Sequence, residues 1–430
     1  MRNLQIPLLQ HVGKPCQAIV KAGDEVIMGQ LIAEPSGLGS KIHASASGKV
    51  AEVTETVIIL EPLIEQPAKP LLIRETSDIL EATYEAGIVG AGGAGFPTHV
   101  KLNVNLEGGV VIANGVECEP FLNHNIKQME EEPDVVIRGL RYAMKVTNAA
   151  KGYVAIKAKN TGAITAINAV IGGAADLEVK LLPDMYPMGE ERAIVREVLG
   201  KLLSPNELPS VAGVVISNVE TLCNITHAVE DRLPVITKNI TVVGKLAGGK
   251  EGKIFMNVPI GTPVAELLAE CGGIEEPYGD LIIGGPFMGQ SGKPETPVTK
   301  TSGGVLVTIP FPQESRPIGL LVCGCGATEA RLREVAGRMG APITAIQRCK
   351  QVVDMKNGAI KCEKPGDCPG QAERILDLRK NGAQVLLVGT CSDCTNTCMS
   401  VAPKLKMPIY HHTDHVMRTM GKKLVRRLEV

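Results

Sequence analysis

The chain of 430 residues contains no tryptophan, and its aromatic residues together make up 3% of it. So few aromatics supply no stacking platform for nucleic-acid bases, so no nucleic-acid partner is expected. An excess of charge is missing too: 45 Lys and Arg against 46 Asp and Glu leave a formal net charge of −1, with no phosphate-tracking basic surface implied by composition. No run approaches the ~20 apolar residues of a membrane helix, and the opening Met1-Arg2-Asn3-Leu4-Gln5 has no apolar signal core. A cytoplasmic protein without direct membrane insertion is expected. What the chain does have is 47 glycines, 12 cysteines and a hydrophobic content of 44%, long enough for about three domains with cores of their own.

The glycines are densest in Gly90-Ala91-Gly92-Gly93-Ala94-Gly95-Phe96-Pro97-Thr98, ahead of a strand-like run at residues 109 to 113. Glycine lets a backbone come within contact distance of a phosphate, which suits a nucleotide-binding α/β layer. The loop has neither the dinucleotide fingerprint spacing nor a P-loop Lys-Ser/Thr, so alone it reads equally well as a tight turn. Three further segments follow: Asn114-Gly115-Val116-Glu117-Cys118-Glu119-Pro120, Met188-Gly189-Glu190-Glu191-Arg192 and Ser217-Asn218-Val219-Glu220-Thr221-Leu222. In this order the four resemble the flavin- and NADH-binding subunit of respiratory NADH dehydrogenase and the C subunit of Rnf complexes, over roughly residues 10 to 310.

That resemblance implies FMN and NADH. The amides of Gly90, Gly92, Gly93 and Gly95 suit the FMN phosphate, and Asn114, Glu117, Glu190, Glu191 and Asn218 its ribityl chain and ring edge, with Gly189 and Thr221 in the same motifs. By resemblance Phe96 and Glu119 touch the nicotinamide nucleotide and Lys101 faces a phosphate. One departure is visible, Val116 where the respiratory relatives usually carry an aspartate. The lesser alternative for Glu190 and Glu191 is the solvated first turn of a helix over 191–199, where carboxylates favour the positive end.

The expected fold is a multi-domain α/β protein. Residues 1–70 resemble the barrel-sandwich of biotinyl and lipoyl domains. Lys41 lacks the flanking residues of either attachment pattern and is expected to be a surface lysine. Residues 71–236 are expected to form a Rossmann-like FMN/NADH-binding α/β core. Residues 237–312 are expected to form a soluble-ligand-binding β-grasp module, whose turn at 284–289 serves either as a plain turn or as a contact to the cofactor domain. A cysteine-rich redox α/β domain is expected over 313–430.

Eight cysteines fall in that last segment: Cys323, Cys325, Cys349, Cys362, Cys368, Cys391, Cys394 and Cys398. Such clustering in a cytosolic chain points to redox or metal chemistry rather than structural disulfides. Strands expected at 318–322, 343–346 and 385–388 end just before cysteines; if parallel, they bring three cysteine groups to one sheet edge. Cysteines at helix N-termini gain thiolate character. Cys323, Cys325, Cys391 and Cys394 are therefore candidate redox dithiols. Alternatively, Cys391, Cys394 and Cys398 give three ligands to one [4Fe-4S] cluster, with Cys349, Cys362 or Cys368 as the fourth; the two Cys-x2-Cys-x2-Cys-x3-Cys runs of Rnf C subunits are absent.

The segment Val322-Cys323-Gly324-Cys325-Gly326-Ala327-Thr328-Glu329 looks like the electron-transfer protein associated with D-proline reductase in amino-acid-fermenting anaerobes, with Cys325 at a position that carries selenocysteine in some members. This implies electron flow from NADH through FMN and the C-terminal centre to a partner reductase, D-proline reductase. Two other readings stay open, an Rnf-like docking protein that oxidises no NADH and a zinc-stapled interaction protein. His411, His412 and His415 are expected as polar surface at a strand end rather than zinc ligands.

Overall fold

In the computed structural model, which describes residues 3–426, the first strands alternate inward and outward. Leu4–Pro7 pairs antiparallel with Val57–Pro62, Leu4 opposite Leu60 and Ile6 opposite Ile58, and all four apolar side chains are buried. Two sheets result, one of four strands and one of three (Cys16–Ala18, Leu31–Pro35, Ile42–His43), enclosing a shared apolar core. Lys41 is not a surface residue here. It is buried, and its ammonium pairs with Glu85 at 2.8 Å, because helix Ile79–Glu85 packs against that end of the sheets.

The next sheet is parallel throughout, in the spatial order Leu177–Leu182, Lys151–Lys157, Val110–Gly115, Val214–Asn218. Its central strands read as continuous apolar runs because helices cover both faces, including Pro133–Thr147 and Val219–Glu230 against one and Glu191–Leu199 against the other. Parallel strands finish on one edge. Here that edge carries Asn114, Lys157, Leu182 and Asn218.

A mixed five-stranded sheet follows, centred on Gly304–Val307, in which Thr237–Gly244 runs parallel to that strand and antiparallel to Lys253–Pro259 at the edge. Lys253–Pro259 was not expected from the sequence; most of it is only partly buried, which blurs the period-2 signal. Lys300, itself fully buried, ties this region to both preceding ones: its Nζ donates to the carbonyls of Lys41 at 2.6 Å and Gly87 at 2.7 Å.

The last sheet is again parallel, in the order Ile343–Arg348, Ile318–Val322, Val385–Val388, Ile409–His411. A hairpin, Val352–Asp354 with Ile360–Cys362, stands beside it. The histidines that follow are buried rather than surface polar. His411 Nε2 donates to the Thr390 carbonyl at 2.8 Å and His412 Nε2 to that of Phe287 at 3.2 Å, while burial pushes His411 and His415 down to about 3.

Candidate functional site

Two groups of chemically capable residues face each other where the two parallel sheets meet. The first is built on the C-terminal edge of the 110–218 sheet. Residues 90–96 form a turn closed by Gly90 N–H donating to the Phe96 carbonyl at 3.0 Å, and Ala91 N–H donates to Thr221 Oγ1 at 2.9 Å. A Cβ on Gly92 would stand 2.5 Å from Asn218 Nδ2, whereas one on Gly93 would meet nothing within 4 Å. Gly92, Gly93 and Ala94 are thus an exposed backbone apron beside Asn218, which caps helix Val219–Glu230 by accepting from Glu220 N–H at 2.9 Å.

Asn114 Nδ2 donates to the Gly189 carbonyl at 3.0 Å, joining two of the motifs. Glu117 accepts from Asn125 at 3.0 Å, yet burial raises its carboxyl to about 7. Glu119 is drawn into the turn at 284–289, accepting from Phe287 N–H at 2.8 Å and Met288 N–H at 2.9 Å, so that turn does contact the cofactor-type domain. Burial raises Glu119 to about 7 as well, against those two donors. Glu190 serves as the N-cap of helix Glu191–Leu199, accepting from Arg192 and Ala193 N–H, and Glu191 pairs with Lys101 at 2.6 Å. Phe96 lies 37% exposed beside the apron. Val116 is buried in the apolar layer under the sheet.

This donor set fits FMN: an open glycine apron for a phosphate, the N-terminus of a long helix behind it, amide and carboxyl groups along the edge, and a buried Ser217 Oγ at a strand end with no partner of its own. Lys157 lies outside the four motifs, yet it is buried at the end of its strand on the same edge and paired with Asp184 at 3.0 Å. Its place after an apolar strand run was the available signal.

The second group is the thiol centre. Cys323, Cys325, Cys349, Cys362, Cys391 and Cys394 share one buried cluster with Tyr186 and Phe287, and Cys118 and Cys368 pack against it. The Sγ atoms of Cys323 and Cys325 are 3.5 Å apart. The Gln371 side chain, fully buried, sets its Nε2 3.0 Å from Cys349 Sγ, 3.4 Å from Cys368 Sγ and 3.6 Å from Cys394 Sγ. Hydrogen bonding, from Cys323 above all, holds Cys349 and Cys391 on the thiolate side, while Cys394, bonded to Cys323 first, is held as a thiol. Cys391 also occupies the N-cap of helix Ser392–Val401.

Cys398 does not join this centre. Four residues beyond Cys394, about 6 Å further along the helix axis, it packs among Ile375, Leu378, Val388 and Met407. The set Cys391, Cys394 and Cys398 is therefore not assembled as cluster ligands, and among the described residues no three His, Cys, Asp or Glu side chains are arranged to hold a metal ion.

The groups meet directly. Cys118, from the 114–120 motif, fits against Gly189, where an added Cβ would approach its Sγ to 3.0 Å; burial, with Glu119 and Glu117 nearby, pushes the thiol up to about 12. Tyr186 stacks on Phe287 with ring centroids 3.7 Å apart and planes 6° from parallel. Arg192 donates to the Glu363 carbonyl at 3.4 Å, Arg196 to that of Pro365 at 2.7 Å, and Lys361 to that of Pro205 at 3.1 Å.

Residues 83–227 match the family model of the Nuo51 FMN-binding domain, and residues 1–65 that of the RnfC barrel sandwich hybrid domain. The chain is 35% identical over 340 residues to the C subunit of the Na(+)-translocating ferredoxin:NAD(+) oxidoreductase complex of Acetobacterium woodii, covering 74% of this chain and 76% of that one. It is 34% identical over 328 residues to the cobalamin reductase PduS of Salmonella typhimurium, covering 76% and 67%. The C subunit of the proton-translocating ferredoxin:NAD(+) oxidoreductase complex of Clostridium ljungdahlii is 35% identical over 324 residues, covering 70% and 69%. No helix among the described residues is long and apolar enough to cross a membrane.

Proposed function

The chain belongs to the RnfC family, the C subunits of Rnf complexes, and on that footing we propose that it takes hydride from NADH onto FMN and passes electrons through its C-terminal thiols to a partner reductase, D-proline reductase. Membership makes it an electron-transfer oxidoreductase with an FMN-binding domain. The finer reading rests on how its own residues are disposed, in four segments divided near residues 70, 236 and 312.

Bound FMN would supply two-electron acceptance from NADH and release of those electrons. The protein's part is to hold and shield. The amides of Gly92, Gly93 and Ala94 would receive the phosphate, those of Gly90 and Ala91 being taken by the Phe96 carbonyl and Thr221, and Asn218 and Asn114 would orient the rest. Lys101, fixed by Glu191, would face a nucleotide phosphate. Glu117, with its carboxyl at about 7, would keep a proton beside the site at neutral pH and so donate as well as accept.

The observation that carries the reading is the packing of the buried thiol cluster against Cys118 and Tyr186 of the cofactor-type domain. Electrons arriving at the 114–120 motif have sulfur next to them. The motif Val322 to Glu329 supports the choice of D-proline reductase as acceptor.

An anaerobic spectrum of the protein reconstituted with FMN tests this. With the thiols first oxidised to disulfides, NADH is expected to raise the number of free thiols by two per NADH consumed, and once they are reduced further NADH is expected to bleach the flavin near-stoichiometrically. Failure to retain FMN, or retention without bleaching, would defeat the reading.

A further inference from the structure

The thiol centre has an outlet. Among the described residues, Cys323, Cys325, Cys349, Cys362, Cys391, Cys394 and Cys398 are buried; Cys368 is partly exposed, between the exposed Asp367 and Pro369. Its sulfur accepts from Gly370 N–H at 3.4 Å and from Gln371 Nε2 at 3.4 Å, and lies 3.1 Å from Thr397 Oγ1, which itself donates to the Cys394 carbonyl at 2.9 Å. Its own N–H donates to Asp393 at 2.8 Å, tying the surface loop to helix Ser392–Val401. That helix also carries Cys394, whose Sγ shares the Gln371 amide with Cys368.

Donors converging on one sulfur favour the thiolate, the form that attacks disulfides, and exposure gives it access to them. Gln371 extends the arrangement inward. An amide nitrogen has two hydrogens for three sulfurs, so the one shared by Cys368, Cys394 and Cys349 can follow whichever carries negative charge.

We propose that Cys368 is the exit thiol of this protein, exchanging with a disulfide on the partner reductase, and that Cys394 is its resolving thiol. This rests on the thiol-output reading above. The Cys368 thiolate attacks one sulfur of the partner's disulfide, forming a mixed disulfide and expelling one partner thiolate. Cys394 then attacks Cys368 Sγ; the second partner thiolate leaves and takes the Cys394 proton. The partner has gained two electrons and a Cys368–Cys394 disulfide remains, to be reopened by the next two electrons from NADH.

The test uses the full chain, reduced with dithiothreitol, freed of it anaerobically, and given oxidised glutathione as the probe. Wild-type protein is expected to release two glutathione thiols per disulfide consumed and to show a Cys368–Cys394 link by peptide mass mapping. Cys394→Ser is expected to hold one glutathione on Cys368. Cys368→Ser is expected to react roughly tenfold more slowly. Glutathione trapped elsewhere in the Cys394→Ser protein, or wild-type speed in Cys368→Ser, would overturn the proposal. If Cys394→Ser fails to fold, mapping of the wild-type protein after one equivalent decides: a link from Cys368 to any other cysteine, or none at Cys368, overturns it. Dithiothreitol bypasses NADH and flavin, so failure here is distinguishable from failure of the NADH reading.

Discussion

Gly326→Val is expected to take the thiol centre apart. A Cβ at Gly326 would stand 2.1 Å from the Gly389 carbonyl oxygen and 2.9 Å from its carbon. The cause is distance rather than torsion. Strands Ile318–Val322 and Val385–Val388 run side by side, and their exit loops touch at this point, where Ala327 N–H donates to the Gly389 carbonyl at 3.1 Å. A side chain forces the two loops apart and separates the Cys323-Gly324-Cys325 turn from Cys391 and Cys394. Overpacking costs ~1–3 kcal/mol where side chains can yield, and backbone against backbone leaves no rotamer to escape into, so at least the upper end applies. The measurement is the native-state reaction of the thiols with an aromatic disulfide, together with urea unfolding. The variant is expected to expose the buried cysteines and to unfold at lower urea. Gly337→Ala is the control: it lies in helix Glu329–Arg338 with nothing within 4 Å of its added Cβ, and the change should be neutral or gain up to ~1 kcal/mol. Equal thiol reactivity in Gly326→Val and wild type would show the loops have more room than the geometry allows.

The second large effect is expected at Lys300. Replacing it by Met removes both donors and leaves the Lys41 and Gly87 carbonyls unmatched in a buried junction, at a cost of ~2–5 kcal/mol. The loss should depend on pH. Burial lowers Lys300 from 10.5 to about 7 in the folded protein. Between those values the unfolded chain binds the proton and the folded chain does not, so the lysine contributes stability that is present at high pH and is lost as pH falls toward 7. The slope is at most ~1.4 kcal/mol per pH unit. Methionine has no such slope. The gap between wild type and Lys300→Met in urea unfolding is therefore expected to widen from pH 7 to pH 9, and a constant gap would mean that Lys300 stays charged in the fold.

Some of this architecture is readable in the sequence because buried parallel strands are apolar on both faces. Val385–Val388 is a run of Val and Leu, and so is most of Ile318–Val322; once such strands are known to be parallel, the cysteines after them must share an edge. Depth and exposure are not readable. The spacing of Cys391, Cys394 and Cys398 says which residues stand one turn apart on a helix, but not that the sheet's apolar face begins between Cys394 and Cys398. Lys41 and His411 look like surface residues because their partners, Glu85 and the Thr390 carbonyl, come from distant segments. Cys368 does not stand out in the sequence, because the sulfurs that share Gln371 with it, Cys349 and Cys394, come from distant segments and its accessibility comes from the loop's position. Glu190 is ambiguous for a different reason: a carboxylate before a helix is chemically suited both to capping it and to binding a ligand there.

The three cationic side chains that clasp the cofactor-type and cysteine-rich regions all grip main-chain oxygens, those of Glu363, Pro365 and Pro205. A carbonyl is present whatever the residue. Substitutions that preserve the course of the 363–371 loop therefore leave the clasp intact, and the outer face of that loop can drift in sequence without loosening its seat. A surface anchored in this way is free to be remodelled over evolutionary time for a new electron acceptor, while the sulfur beneath it stays where it is.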